Sequence, residues 1–173
     1  MRAAVLALAG AVALAAPAMA RADSSQTVNG VQVESGGVVV NGDAIVYLGG
    51  AVIVDTDLGH ADPGLASFGV DVTAQAIHGC VSGYLCLYAQ SNYGGDLATI
   101  NICCTWLDLS DYGFNNTTAS YVNRSGSDVR MAKQADGGGD ILCVPAGDQA
   151  ATMPSGWANK VSSIRILANG GCA

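Results

Sequence analysis

Gly113-Phe114-Asn115-Asn116-Thr117-Thr118-Ala119-Ser120 returns in altered form, 43 positions further on, as Gly156-Trp157-Ala158-Asn159-Lys160-Val161-Ser162-Ser163. The shared pattern is Gly-aromatic-x-Asn-x-x-x-Ser, and upstream Gly95 falls opposite Gly139 at a shift of 44. A repeat of this length holds about four short strands with their turns. Two units therefore predict eight strands in two small sheets packed face to face, because neither unit alone can bury its apolar face. Ahead of the first repeat stands Tyr88-Ala89-Gln90-Ser91-Asn92-Tyr93-Gly94-Gly95. Tyrosines five apart face opposite sides of an uninterrupted strand. A folded hairpin brings both rings to one side and leaves Gly95 where a side chain cannot sit. In the second unit Ala132 and Gly137 stand in the places of Tyr88 and Tyr93, so that hairpin is expected to be looser or rebuilt.

Working outward, residues 80–173 hold all six cysteines, both tryptophans and five of the six tyrosines, whereas residues 24–79 are free of cysteine. In that earlier part valine-rich runs alternate with glycine pairs: Val31–Val33, Val38–Val40, Ala44–Leu48 and Ala51–Val54 are separated by Gly36-Gly37, Asn41-Gly42 and Gly49-Gly50. Four short antiparallel strands are expected there, with glycines supplying the turns. From Asp55 to Gly69 the text turns to Asp, Pro and Gly and reads as a linker. At the start, Arg2, the apolar run Ala3–Ala16 and Ala18-Met19-Ala20 form a secretory signal, with cleavage expected after Ala20. Six exported cysteines imply an oxidising compartment, and the protein is expected to be secreted and extracellular. The expected organisation is a signal peptide at 1–20, an acidic β-meander extension or pro-region at 21–73, and a repeat domain at 74–173.

The chain carries 7 Lys+Arg against 14 Asp+Glu, a formal net charge of −7. The bases do not cluster, which excludes the cationic footprint that nucleic acid requires. No other apolar run is long enough to span a bilayer. Enzyme chemistry has little to stand on. His60 and His78 both lie outside the repeat and in no zinc-protease or triad motif, and Glu34 has no second carboxylate at a fixed spacing. Asp55, Asp57, His60 and Asp62 are the one compact group of metal-capable residues; they match no established ligand loop and read as a solvated acidic loop. Asn115, Asn116 and Asn123 each begin an Asn-x-Ser/Thr sequon, and are read as turn residues.

Tyr88 through Gly95, Asn115-Asn116 leading to Ser120, and Asn159 leading to Ser162-Ser163 resemble the two Greek-key motifs of the βγ-crystallin fold. More closely, Cys80-x-x-x-x-x-Cys86-Leu87-Tyr88, Asn92-Tyr93-Gly94-Gly95, Tyr112-Gly113-Phe114-Asn115-Asn116 and Asn123-Arg124-Ser125 resemble the secreted actinobacterial peptidase inhibitor family typified by the Streptomyces metalloproteinase inhibitor. The likeness covers residues 80–167. It implies an all-β, two-Greek-key βγ-crystallin-like sandwich, here preceded by the small β-meander extension. It also implies an inhibitor whose partner is a secreted zinc metallopeptidase of the thermolysin type; from the residues themselves a non-enzyme with no nucleic acid or membrane partner is expected, and a monomer. A crystallin-type structural or binding module, and a toxin-like effector, are the alternatives from other classes.

Calcium-binding members of the crystallin class resemble (Asn/Asp)-(Asn/Asp)-x-x-(Ser/Thr)-Ser. Here Ala119 and Ala158 each remove one possible oxygen ligand. No cofactor is expected, Asn and Ser bonding to turn backbones being the default. Calcium at Asn116, Asn159 and Ser162 is the alternative.

Among the cysteines, Cys80 and Cys86 are the best local pair, and the family resemblance points to the same clip. Cys103 and Cys104 are adjacent, would face opposite sides of a strand, and are expected to pair with different partners drawn from Cys143 and Cys172. Two places offer an inhibitory loop. One is Cys143–Val144, bridged, followed by Pro145, and suited to an enzyme that takes an apolar residue just after the scissile bond. The leading reading of Ile141–Val144 is instead a buried strand of the second unit. The other is the Cys103-Cys104-Thr105-Trp106 corner, where Cys104 and Trp106 are the candidates, although the leading reading of Trp106 is a core residue.

Overall fold

A computed structural model describes residues 77–168, 171 and 172, and ahead of them the strand residues 27–28, 31–32, 38–40, 44–47 and 52–55. The signal segment, the boundary at 73/74, and Asp57, His60 and Asp62 lie outside the described residues.

The early strands are β1 (Thr27–Val28), β2 (Val31–Gln32), β3 (Val38–Val40), β4 (Ala44–Tyr47) and β5 (Val52–Asp55). The first repeat supplies β6 (Leu85–Gln90), β7 (Gly94–Ile100), β8 (Leu107–Asp108) and β9 (Ser120–Asn123). The second supplies β10 (Val129–Ala132), β11 (Ile141–Val144), β12 (Gln149–Ala150) and β13 (Ser163–Ile166). Among the described residues the helical pieces are two 3-10 turns, Leu109–Tyr112 and Ala135–Gly137.

Each repeat is a Greek key that keeps three strands and lends its third to the other sheet. β6, β7 and β9 pair together and receive β12; β10, β11 and β13 pair together and receive β8. All these pairings are antiparallel. The exchange explains why the repeat folds only as a pair: each sheet is incomplete without a strand from the other key.

Period-two alternation places Leu85 and Leu87 of β6 on the inner face, with Val129, Met131, Ile164 and Ile166 facing them from the other sheet. Phe114, Val161 and Met153 close this main core. On the outer face of β6, Cys86 and Tyr88 are also fully buried, in a second cluster with Cys80, Leu97 and Val122. That is why β6 reads as a continuous apolar run rather than an alternating one.

The glycine-punctuated meander forms, with one change of partner and one of setting. β3, β4 and β5 pair antiparallel in succession, but β2 pairs with β1 and not with β3. β5 then pairs with β7, Val52↔Ile100 to Asp55↔Leu97, so the larger sheet has seven strands in the order β12-β9-β6-β7-β5-β4-β3. Ile45, Val52 and Val54 lie in the main core, and Ile53 is buried on the opposite face. A strand buried on both faces is what Val52-Ile53-Val54 spells out, and each such side chain contributes about 1.5–3 kcal/mol on burial.

Candidate functional site

The two hairpins show how far the keys are equivalent. In the first, the ladder of β6 with β7 shifts register between Tyr88 and Gln90, and the Tyr88 and Tyr93 rings meet edge to face at 5.6 Å. His78 stacks on Tyr93 at 3.8 Å, and the Tyr88 hydroxyl donates to the His78 carbonyl (2.8 Å). Burial, followed by the neighbouring Tyr93, pushes the Tyr88 phenol well above its usual range. Gly95 has φ +72°, and a Cβ there would lie 2.8 Å from Gln90 Cγ.

The buried Ser120 hydroxyl donates to Gln90 O (2.6 Å) and accepts from Tyr93 N (3.1 Å). In the second key the buried Ser163 hydroxyl donates to Gln134 O (2.6 Å) and accepts from Gly137 N (3.0 Å). Gly139 sits at φ +75° against Gln134. The place of the missing rings is filled from the other key: the Trp106 indole lies over Gly137 so closely that a Cβ there would collide with it. The second hairpin is thus rebuilt, and half-buried Trp106 is its cover, neither an open anchor nor a core residue.

Asn116 and Asn159 both adopt left-handed backbone, at φ 55° and 54°. Their bonds are reciprocal, Asn116 N to Val161 O (2.9 Å) and Asn159 N to Thr118 O (2.8 Å). The Ser162 hydroxyl lies 3.2 Å from Asn116 Oδ1 and donates to Lys133 O (3.0 Å). Asn116 and Ser162 are therefore brought together. Asn159 belongs to the equivalent place in the other key, where Ala119 stands for Ser162. Asn115 is exposed in the turn ahead of them.

The cysteines form three bridges, and one corrects the sequence expectation. Cys80–Cys86 is the clip ahead of β6, Cys143 pairs with Cys172, and Cys103 is bonded to Cys104 itself. Facing opposite ways applies only within a regular strand. These two lie in the connection between β7 and β8, with Cys104 at φ +78° and its N–H donating to Ile166 O (2.9 Å). Cys103, Cys104 and Thr105 are exposed.

Ile141–Val144 is a strand, but among the described residues an edge strand and not a buried one. Val144 is fully buried in the main core, while Ile141 and Cys143 are exposed. Lys133 N donates to Asp140 O (3.2 Å) in the register that pairs Arg130 with Cys143, so the bonded pairs are Met131↔Leu142 and Val129↔Val144. The N–H and C=O of Ile141 and Cys143 consequently face away from β10, along the outer edge of the sheet.

Behind Cys143–Val144 stand two residues that sequence reading left in other roles. Asn123, fully buried at the end of β9, donates its amide to Val144 O (3.2 Å), Pro145 O (2.9 Å) and Ser127 O (2.9 Å). Its sequon serves this inner bonding, and its burial keeps it from modification in the fold. Asp128 accepts from Ala146 N (2.9 Å) and Cys172 N (3.2 Å). Asp128 lies close to Cys143 and Cys172 sulfur, but both sulfurs are bonded to each other and offer no thiolate to a metal. The sequence signals for Asn123 are its sequon and the Asn123-Arg124-Ser125 stretch of the family resemblance, and none marks Asp128.

Residues 73–144 match the model of peptidase inhibitor family I36. No curated protein matches the chain. Among solved structures, a βγ-crystallin domain from Flavobacterium johnsoniae is similar at 22% identity and TM-score 0.42, over 50% of this chain and 96% of that one. A βγ-crystallin from Ciona intestinalis is similar at 19% identity and TM-score 0.40, over 49% and 99%. One from Clostridium beijerinckii stands at 18% and 0.41, over 48% and 95%. Among the described residues no helix is long and apolar enough to cross a membrane, and the three disulfides fit a secreted protein. Residues 73–144 are thus similar to peptidase inhibitor family I36, within a domain whose two Greek keys exchange strands to form an all-β sandwich.

Proposed function

We propose that this protein is a peptidase inhibitor whose target is a secreted zinc metallopeptidase of the thermolysin type, and that the enzyme meets it along the outer edge of β11 with Cys143–Val144 at its catalytic centre. The observation that carries the reading is the Cys143 carbonyl, which faces the open edge from an exposed residue tied down by Cys172. A peptidase that binds its substrate as an added strand needs such an edge. The equivalent edge in the first key, that of β7, takes an antiparallel strand from this same chain.

A carbonyl oxygen held in place suits a Lewis-acidic zinc, which polarises such an oxygen. Val144 is in the core, so the side chain that would follow the bond into the enzyme is withheld unless the end of β11 lifts. That combination supports docking with slow turnover, the behaviour an inhibitor needs. The Cys103–Trp106 corner is the weaker contact, since Trp106 is engaged over Gly137.

Titration of the purified full-length protein against a thermolysin-like zinc endopeptidase, with a serine endopeptidase as control, tests the reading. Stoichiometric inhibition of the zinc enzyme alone, with any nick mapping to Cys143–Val144, is expected. Absence of inhibition at micromolar protein overturns it. Calcium is a second proposal, supported by the convergence of Asn116, Ser162 and Lys133 O; a calcium-dependent rise in Tm that Ser162→Ala abolishes is its test.

A further inference from the structure

Resting on the reading just given, we propose that Asn123 and Asp128 are positioning residues that hold the Val144–Ala146 side of the Cys143–Val144 bond, so that the bond opens slowly and its ends stay together once opened. On the amino side, Cys143 is fixed by its bridge to Cys172 and by its neighbour Leu142, which is bonded opposite Met131 of β10. On the other side the chain leaves the sheet into the exposed Pro145-Ala146-Gly147, a stretch that side-chain bonds hold down.

The Asn123 amide donates to both Val144 O and Pro145 O, and its own orientation is set by Ser125, whose N–H (3.2 Å) and hydroxyl (2.7 Å) donate to Oδ1. The Asn123 backbone adds a bond from Gly147 N (3.0 Å) and one to Asp148 O (2.8 Å). Asp128 completes the arrangement from the second key. One carboxylate oxygen takes the Ala146 N–H and the other takes the Cys172 N–H, so a single side chain joins the segment after the bond to the tail that holds the residue before it.

Hydrolysis breaks the Cys143 C–N bond, places the hydroxyl of a zinc-bound water of the target on the Cys143 carbonyl carbon, and leaves the proton on the Val144 nitrogen. With both ends held, neither product strand departs, and the reverse step, which expels water, remains open to the bound enzyme.

The test compares the native protein with Asp128→Asn, Asn123→Ala and, as a control for general stability, Ser120→Ala, which removes the buried bond to Gln90 in the other key. Each is incubated with a thermolysin-like zinc endopeptidase, and the nick at Cys143–Val144 is followed by mass under reducing conditions. Nicking is expected to rise about tenfold or more in the first two variants, the scale of a lost charge-assisted or buried amide bond. Ser120→Ala should lower Tm while leaving that rate within about twofold. Native rates in folded Asp128→Asn, or equal acceleration in Ser120→Ala, overturn the proposal. If Asn123→Ala fails to fold, Asp128→Asn carries the comparison.

A second measurement needs no peptidase. Amide hydrogen exchange at Ala146 and Cys172 should quicken about tenfold in Asp128→Asn, with the Ser120 region unchanged. Unchanged exchange refutes the clamp even where inhibition is found. Quickened exchange in a protein that inhibits no zinc enzyme supports the clamp and refutes the choice of target.

Discussion

β7 and β11 are the same strand of the two keys, yet one is interior and the other is an edge. Gly95 and Gly139 open them at matching places, and Thr99 of β7 corresponds to Cys143 of β11. Beside Thr99 runs Ile53, whose carbonyl accepts the threonine hydroxyl (3.4 Å); beside Cys143, among the described residues, no strand runs. A strand edge bears unpaired N–H and C=O groups that pair with any suitable chain. In the first key the chain's own β5 satisfies them. In the second they face outward next to the Cys143–Cys172 disulfide. Among the described residues, the duplicated fold thus pairs one edge within the chain and leaves the other facing outward.

That contrast can be broken most severely at the covered edge. Val54→Asp puts a charge into the main core and strips β5 from β7; a loss of about 3–5 kcal/mol in urea unfolding is expected, with aggregation along the bared edge. Next comes the sulfur. Cys143→Ser with Cys172→Ser opens a bridge spanning 29 positions and should cost about 2–4 kcal/mol, whereas Cys103→Ser with Cys104→Ser, spanning one, should leave the denaturant midpoint nearly unmoved.

The hairpins sharpen the comparison further. Gly95→Ala and Gly137→Ala should each cost about 1–3 kcal/mol, from left-handed backbone and from contact with Gln90 and Trp106 respectively. Trp106→Ala should relieve the second and not the first, read as a coupling in a double-mutant cycle by Tm. At the open edge, Ile141→Lys falls on a side chain 44% exposed, so stability should stay within about 0.5 kcal/mol while inhibition weakens at least tenfold.

The smallest expected effect is alkaline. Burial raises the phenols of Tyr88 and Tyr121, the latter also through its bond to the Asp148 carboxylate, so both stay protonated in the fold where the unfolded chain ionises near pH 10.0. The folded state then holds more protons than the unfolded one, and stability falls as pH rises above that value. Tyr121→Phe should flatten the fall seen in Tm between neutral and strongly alkaline buffer.

Much of this is legible in the sequence itself. The repeat announced two keys, and the bonds of Ser120 and Ser163 to Gln90 and Gln134 show why serine recurs there. Gly95 and Gly139 were readable because a folded hairpin demands left-handed backbone that glycine adopts freely. The Cys80–Cys86 clip was readable because six residues with Ser82-Gly83 inside can turn back on themselves. These features depend on neighbours within a few positions, which is where side-chain alternation and turn chemistry act.

Only the tertiary structure decided the rest. That β5 lies against β7, that Trp106 covers a glycine of the other key, that Cys103 and Cys104 turn to each other, and that Asn123 and Asp128 meet behind Cys143–Val144 all depend on which distant segments arrive side by side. Strand and turn propensities are set by local backbone and side-chain geometry. The choice of edge, ring cover and hydrogen-bond partner is set by packing across the whole domain, which no short window of sequence contains.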